Sequence, residues 1–220
     1  MKIARISVTS RCLSLLRLPS TDMLPSAFLC FLFSCVLLGQ AADRPITRTL
    51  YLDNGYDAGT WGEVEYCEDG SFVTDIEVAY KDHTLLDVDE NAVNTVKLYC
   101  ATTDGVMTNY VTSTVGKEGE WKGMNSCSDG SLMTGMRAKV MPNLGLIGDD
   151  EAVQNVEMEC EGGSTVLAMP EKQNSTNWSS WDSCGKGSAV CGIRVRYEAP
   201  SAIDDDVAIA DMTMYCCSVK

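Results

Sequence analysis

The chain has 220 residues and is strongly acidic, with 31 Asp and Glu against 17 Lys and Arg and a net charge of −14. That balance excludes nucleic-acid binding, because phosphate contacts need a basic surface. A single histidine, His83, and 11 cysteines turn attention from His-dependent catalysis toward disulfide chemistry.

The first element in chain order is a leader. Ala27 to Leu38 reads AFLCFLFSCVLL, a predominantly apolar run of 12 residues. It has the length of a signal-peptide core and falls short of the roughly 20 residues a spanning helix needs. Small residues follow at Gly39, Ala41 and Ala42, and cleavage is expected after Ala41 or Ala42. Lys2, Arg5, Arg11 and Arg17 form a long basic flank; Met23 is an alternative start, which leaves the apolar run without that flank. An uncleaved N-terminal anchor is the competing reading. No second apolar run follows, so the expectation is a leader over 1–42 and one secreted domain over 43–220, off the membrane once cleaved. Removing four basic residues and one acid (Asp22) leaves 13 basic and 30 acidic residues, a net charge of −17.

Three cysteines (Cys12, Cys30, Cys35) belong to the leader, and eight remain. An even number in a secreted chain reads as four disulfides. Cys67 to Cys100 and Cys127 to Cys160 are both 33 residues apart, and Cys184 lies 32 or 33 residues before Cys216 or Cys217. The same register carries Trp61, Trp121 and Trp178 six residues before each first cysteine, and Gly70, Gly130 and Gly187 three after it. Ile76, Met136 and Ile193 stand nine after it. Such a period means repeat architecture, here over about 50–104, 110–163 and 170–220.

Each repeat has two strand patterns. In the first, Phe72, Thr74, Ile76, Val78 and Tyr80 alternate with Val73, Asp75, Glu77 and Ala79; Leu132, Thr134, Met136, Ala138 and Val140 alternate with a face carrying Arg137 and Lys139; and Ile193, Val195 and Tyr197 alternate with Arg194 and Arg196. Period-two alternation puts one face on a core. The second strand ends at the closing cysteine, in the shared frame Val96-x-Leu98-x-Cys100, Val156-x-Met158-x-Cys160 and Met212-x-Met214-x-Cys216. That frame predicts Cys67–Cys100, Cys127–Cys160, Cys184–Cys216 and Cys191–Cys217. Pairing Cys184 with Cys217 instead restores the spacing of 33 and stays open. The helix-like stretches Asp89–Val96 and Asp149–Val156 are short and read as turns leading into strands. Three such repeats close around one core as a three-faced prism or barrel.

The recurring polar constellation is acidic: Asp87, Asp89, Glu90; Asp149, Asp150, Glu151; and Asp204, Asp205, Asp206. Threefold symmetry would set these clusters at one rim. Asp in such loops most often caps turn amides. Alternatives are sugar-hydroxyl binding, glycoside acid–base work needing two carboxyls at a set separation, and calcium, for which the EF-hand glycine and distant glutamate are missing. The candidate ligand set is Asp89, Glu90, Asp149, Asp150, Asp205 and Asp206, with no catalytic residue, metal or cofactor expected. The repeat tryptophans are expected to pack on their disulfides or cover the core end, with stacking on sugars as the alternative. Trp181 is an extra one, in Trp178-Ser179-Ser180-Trp181. Asn174 and Asn177 head overlapping N-glycosylation sequons, Asn174 the better placed.

The pattern Trp-x5-Cys-x2-Gly, the alternating strand and Gly148-Asp149-Asp150-Glu151-Ala152 together resemble the vitelline membrane outer layer protein 1 family, as does the terminal Cys216-Cys217. The resemblance spans about Thr49 to Val219. Gly148 is matched by Val88 and Asp204, and Asn94 by Gln154 and Ala210. The resemblance implies an all-β, disulfide-stapled β-prism of three Greek-key sheets around a pseudo-threefold axis. It implies a secreted structural or barrier protein of an egg coat or other extracellular layer, with other coat proteins or glycans as partners. A lectin-like module binding oligosaccharides is the alternative, and an enzyme acting on amino-sugar polymers a weaker one.

Overall fold

The computed structural model describes residues 44–82, 92–141, 152–170, 177–199 and 208–219. β1 (Ile46–Tyr51) comes first. β2 (Thr60–Trp61) and β3 (Glu65–Tyr66) are short and precede a long hairpin, β4 (Ser71–Lys81) and β5 (Ala92–Thr102), which β6 (Met107–Val111) follows. The second repeat runs through β7 (Glu120–Trp121), β8 (Asn125–Ser126), β9 (Met133–Val140), β10 (Val153–Cys160) and β11 (Thr165–Leu167). The third supplies β12 (Asp182–Ser183), β13 (Ser188–Tyr197) and β14 (Ile209–Ser218). Among the described residues the only helical turn is the 3₁₀ turn Ser128–Gly130. The glycine three residues after each first cysteine has φ of +80°, +67° and +74° at Gly70, Gly130 and Gly187. Only glycine adopts that left-handed backbone without strain, which is why the repeat keeps it at the entry to each hairpin.

Three antiparallel sheets form, and none coincides with one sequence repeat. The first has the order β6-β5-β4-β7, with β8 also on β4; the second is β11-β10-β9-β12; the third is β1-β14-β13-β2, with β3 also on β13. Each sheet takes its hairpin from one repeat and an edge from the Trp–Cys segment of another. Trp121 pairs with Ala79, Asp182 with Met136 and Trp61 with Arg196. The loan runs round the molecule: the first sheet borrows from the second repeat, the second from the third, the third from the first. β1 takes on β14 the place that β6 takes on β5 and β11 on β10. Both ends of the domain therefore meet in the third sheet, with Ile46 opposite Cys217. This is a β-prism.

The inner faces meet in one apolar core. Ile76, Val78, Val96 and Leu98 come from the first sheet, Met136, Ala138, Val156 and Met158 from the second, and Ile193, Val195, Met212 and Met214 from the third. All twelve are 0% exposed and occupy equivalent repeat positions. Burying a side chain of this size stabilises by about 1.5–3 kcal/mol relative to leaving it in water.

The alternation at the hairpin's start differs from the sequence expectation. Each first long strand slips register at an equivalent point: between Val73 and Asp75, Met133 and Gly135, and Val190 and Gly192. A bulge of one extra residue reverses which side chains face inward. Val73, Met133 and Val190 therefore join the main core, whereas Phe72, Leu132 and Ala189 gather in a second cluster. At the other end of the hairpins, Ala92, Ala152, Ala208 and Ala210 form a third, with Tyr56 and Tyr197 against it.

Disulfides join Cys67–Cys100, Cys127–Cys160, Cys184–Cys216 and Cys191–Cys217. The first three tie sheet to sheet. Cys67 follows β3, and its N–H donates to Cys191 O of the third sheet (2.8 Å), while Cys100 lies on β5 of the first. In the same way Cys127 and Cys184 extend β8 and β12 and reach β10 and β14. The fourth bridge lies within the third sheet. Cys191 stands at the bulge position of β13, which brings it beside Cys217 of β14.

The corners are closed by side chains two residues before each first cysteine. A Glu65 carboxylate oxygen accepts from Thr112 N (2.7 Å), an Asp182 oxygen from Tyr51 N (3.0 Å), and Asn125 Nδ2 donates to Ala168 O (2.9 Å). Each occupies backbone groups at or beside a sheet's outer strand, positions otherwise open to strand addition.

Candidate functional site

The borrowed edges carry the tryptophans onto the outer faces of the sheets, and there each indole lies against a cation. Lys97 Nζ of β5 stands 3.7 Å from the Trp121 ring centroid, with Tyr110 and Tyr99 at 5.4 and 5.7 Å. Arg137 of β9 stands 4.9 Å from Trp178 and 4.8 Å from Trp181. Arg194 and Arg196 of β13 cover Trp61 at 5.3 and 5.6 Å. Such contacts contribute about 0.5–1 kcal/mol each at exposed sites. This corrects the expectation that the tryptophans pack on their disulfides or cover the core end. The local spacing fixed their register; the receiving sheet lies in another repeat, which spacing alone does not show.

The cations are themselves held. Lys97 pairs with Glu77 at 3.4 Å, and Tyr99 donates to the same carboxylate at 2.6 Å. Burial, then that hydrogen bond and the carboxylate's charge, push the Tyr99 hydroxyl up to about 12. At the equivalent place in the second sheet the charges are exchanged, Arg137 donating to Glu157 from Nε (2.7 Å) and pairing through its terminal nitrogen (2.6 Å). In the third sheet Arg194 faces Thr213 and donates to Gly62 O (2.8 Å). Trp121 and Tyr110 keep 44% and 60% of their surface exposed. The first sheet's face thus presents two exposed aromatic rings beside a held cation, an arrangement suited to stacking against a ring.

The sequence-predicted ligand residues Asp89, Glu90, Asp149, Asp150, Asp205 and Asp206 lie outside the described residues, as do Asp87, His83 and Asn174. The alanines that follow the clusters, Ala92, Ala152 and Ala208, are described, and they meet in one buried cluster. Asn177 is described; its carbonyl accepts from Val140 N (3.2 Å) and from Asn54 Nδ2 (3.1 Å). Among the described residues no three His, Cys, Asp or Glu side chains come together as a metal site requires. None of their helices is long and apolar enough to cross a membrane.

Two further features were not found from sequence. A groove of about 280 Å³ opens beside the Phe72 cluster, lined by Arg44, Asp69, Phe72, Thr103, Cys217 and Ser218. Arg44 lies over the Phe72 ring at 4.5 Å and donates to Ser71 O (2.8 Å). The other is Asp211 on β14, whose carboxylate accepts from Met212 N (2.7 Å). Burial raises its pKa to about 6 against the pull of that N–H and of Arg196, with Asp57 adding to the rise. A Cβ at Gly55 would overlap this carboxylate, so glycine there makes room for it.

The family model for vitelline membrane outer layer protein I matches residues 49–219. The chain belongs to the vitelline membrane outer layer protein I family. It is 29% identical over 167 residues to the mouse (Mus musculus) vitelline membrane outer layer protein 1 homolog, covering 75% of this chain and 81% of that protein. The human (Homo sapiens) homolog is 28% identical over 173 residues, 78% of this chain and 83% of that one. Among solved structures, the Calystegia sepium agglutinin superposes with a TM-score of 0.51 at 12% identity, over 79% of this chain and 98% of the agglutinin. At that identity the likeness is one of fold. This vitelline membrane outer layer protein I family chain and that agglutinin therefore share a fold.

Proposed function

We propose that this member of the vitelline membrane outer layer protein I family is a secreted, non-enzymatic structural component of an extracellular coat or fluid barrier. The observation that carries the reading is the set of three repeat-equivalent disulfides, each joining two neighbouring sheets. A prism fastened sheet to sheet resists unfolding and proteolysis outside the cell, where no chaperone rescues it. Side chains close its corners, and the acidic balance keeps it soluble until it meets coat proteins or glycans.

A lectin-like role is the second reading, favoured by the half-exposed Trp121 and Tyr110 on the first sheet's outer face and by the agglutinin's fold. Fold alone is a weak warrant for binding. The test uses the secreted, oxidised protein. N-terminal sequencing is expected to begin at Ala42 or Asp43, and the protein should co-sediment with insoluble coat glycoprotein. Tryptophan fluorescence should stay flat on titration with chito-oligosaccharides, with and without calcium. A saturable change would move the assignment to the lectin, and turnover of the oligosaccharide would overturn the non-enzymatic reading. Failure to co-sediment would overturn the structural one.

A further inference from the structure

The third repeat carries a motif that the other two lack. Trp178-Ser179-Ser180-Trp181-Asp182-Ser183-Cys184 reads Trp-x-x-Trp-x-x-Cys. Trp61 is followed three residues later by Val64, and Trp121 by Met124. In the secretory pathway, Trp-x-x-Trp and Trp-x-x-Cys are the acceptor signals of tryptophan C-mannosylation.

We propose that Trp178 and Trp181 are acceptors for a C-linked mannose. The donor class is a polyprenyl-phosphate mannose. A C–C bond forms between the sugar's anomeric carbon and indole C2, the polyprenyl phosphate leaves, and the C2 proton passes to a base of the transferase. The inference rests on the secretory reading above.

The structure supplies the second observation. The guanidinium of Arg137 lies against both indoles, at 4.9 Å from Trp178 and 4.8 Å from Trp181. Glu157 holds that guanidinium from Nε and from a terminal nitrogen. The two acceptor rings therefore share one fixed cation on the outer face of the second sheet, and neither belongs to the core. Trp178 is half-buried and Trp181 is 37% exposed, which leaves room for a hexose on a finished fold. The polar groups of such a sugar would lie near the Arg137–Glu157 pair, where hydrogen-bonding partners are charged and stronger than neutral ones.

The same contacts set the order of events. Ser179 Oγ accepts from Ala138 N (3.1 Å), Ser180 N donates to Asp53 (3.0 Å), and Cys184 N donates to Thr134 O (2.6 Å). A segment pinned at these points cannot enter an enzyme's active site as extended chain. Transfer therefore precedes folding, on the nascent chain, and the modified rings then close around Arg137.

The test is peptide mass spectrometry of the full chain, secreted from animal cells that have the transferase. The expected result is one hexose on Trp178, Trp181 or both, with none on Trp61 or Trp121. A C-linked hexose survives the amidase that strips an N-linked glycan from Asn174 or Asn177, and it stays on the indole during fragmentation. Four bare indoles in a secreted protein with all its disulfides formed would overturn this inference and leave the secretory reading intact; retention in the cytosol would overturn both. In Trp181→Phe the hexose on Trp178 should be lost, and its persistence there would overturn the motif's role. If that variant is not secreted, the wild-type peptides decide.

Discussion

The first and second sheets have apolar interiors at matched positions and opposite exteriors. Behind Glu77–Lys97 and behind Arg137–Glu157 stand matched apolar residues, Ile76 with Leu98 and Met136 with Met158, all fully buried. In front, acid and base have changed strands. The third sheet keeps the interior and has Arg194 opposite Thr213, with Tyr215 edge-on to Tyr66 at 5.4 Å. The prism thus constrains the inward side chains by packing and the inter-sheet cysteines by covalent reach. It leaves the outer faces free to diverge, which is where differences in binding would be written.

The largest effect should come from breaking what the sheets share. Replacing Cys127 and Cys160 by Ser should cost about 3–4 kcal/mol in denaturant unfolding, the scale set by a loop of their separation. A loss below about 1 kcal/mol would mean that packing alone holds those two sheets. Next, Met136→Ala and Ile76→Ala should each cost about 3 kcal/mol. A much smaller loss for Met136→Ala would show that the methionine-rich side collapses around the gap while the aliphatic side does not.

The exteriors are tested by exchange. Glu77→Lys alone puts two ammonium groups together under Trp121 and should cost about 1.5 kcal/mol. Adding Lys97→Glu gives the first sheet the second sheet's polarity and should recover stability to within about 0.5 kcal/mol of wild type. A double variant as unstable as the single would show that the aromatic cage of Tyr99, Tyr110 and Trp121 requires the cation on β5.

The smallest effect concerns the third sheet. Asp211 has a folded pKa raised to about 6 from 3.8. The folded state holds its proton more tightly, so this group's contribution is fully present below pH 3.8 and is lost as pH rises through 6. Asp211→Asn should therefore stabilise the protein above pH 6 by about 1 kcal/mol, discounted for partial exposure, and flatten the profile below it. The equivalent residue of the second sheet is already Asn155, whose Nδ2 donates to Met169 O (3.0 Å) and whose Oδ1 accepts from Val156 N (2.9 Å). A loss of stability in Asp211→Asn near pH 7 would show that attraction to Arg196 outweighs burial.

Much of the fold was legible because the repeat is written in rigid markers. The cysteine frame selects Cys216 over Cys217, and the structure joins Cys184 to Cys216. Positive-φ glycines mark the hairpin entries, and period-two runs ending at cysteine mark the second strands. The bulge was missed since one extra residue leaves hydrophobic alternation intact on both sides of it. Thr74, Thr134 and Cys191 share that position, but nothing in their side chains announces it. The loan of Trp61, Trp121 and Asp182 to other sheets was also invisible, because strand partners far away in the chain leave no trace in local pattern. The corner residues Glu65, Asn125 and Asp182 did leave one, a polar side chain two before each first cysteine. The acidic clusters were legible as a constellation, and their residues lie outside the described part of the chain.

The pairing of β1 with β14 sets a timetable for biosynthesis. The first strand of the domain to emerge from the ribosome has no sheet to join until the last strand has been made. β2 and β3 likewise wait for β13. Closure of the prism therefore waits for β14, and it depends on contacts across nearly the whole domain, the kind that makes folding slow. During that interval Cys67 and Cys100 are available while the sheet that positions Cys67 does not yet exist. An oxidising compartment with isomerase activity would allow a premature bridge to be remade, so the same topology that seals the finished prism leaves an interval in which thiol exchange can act.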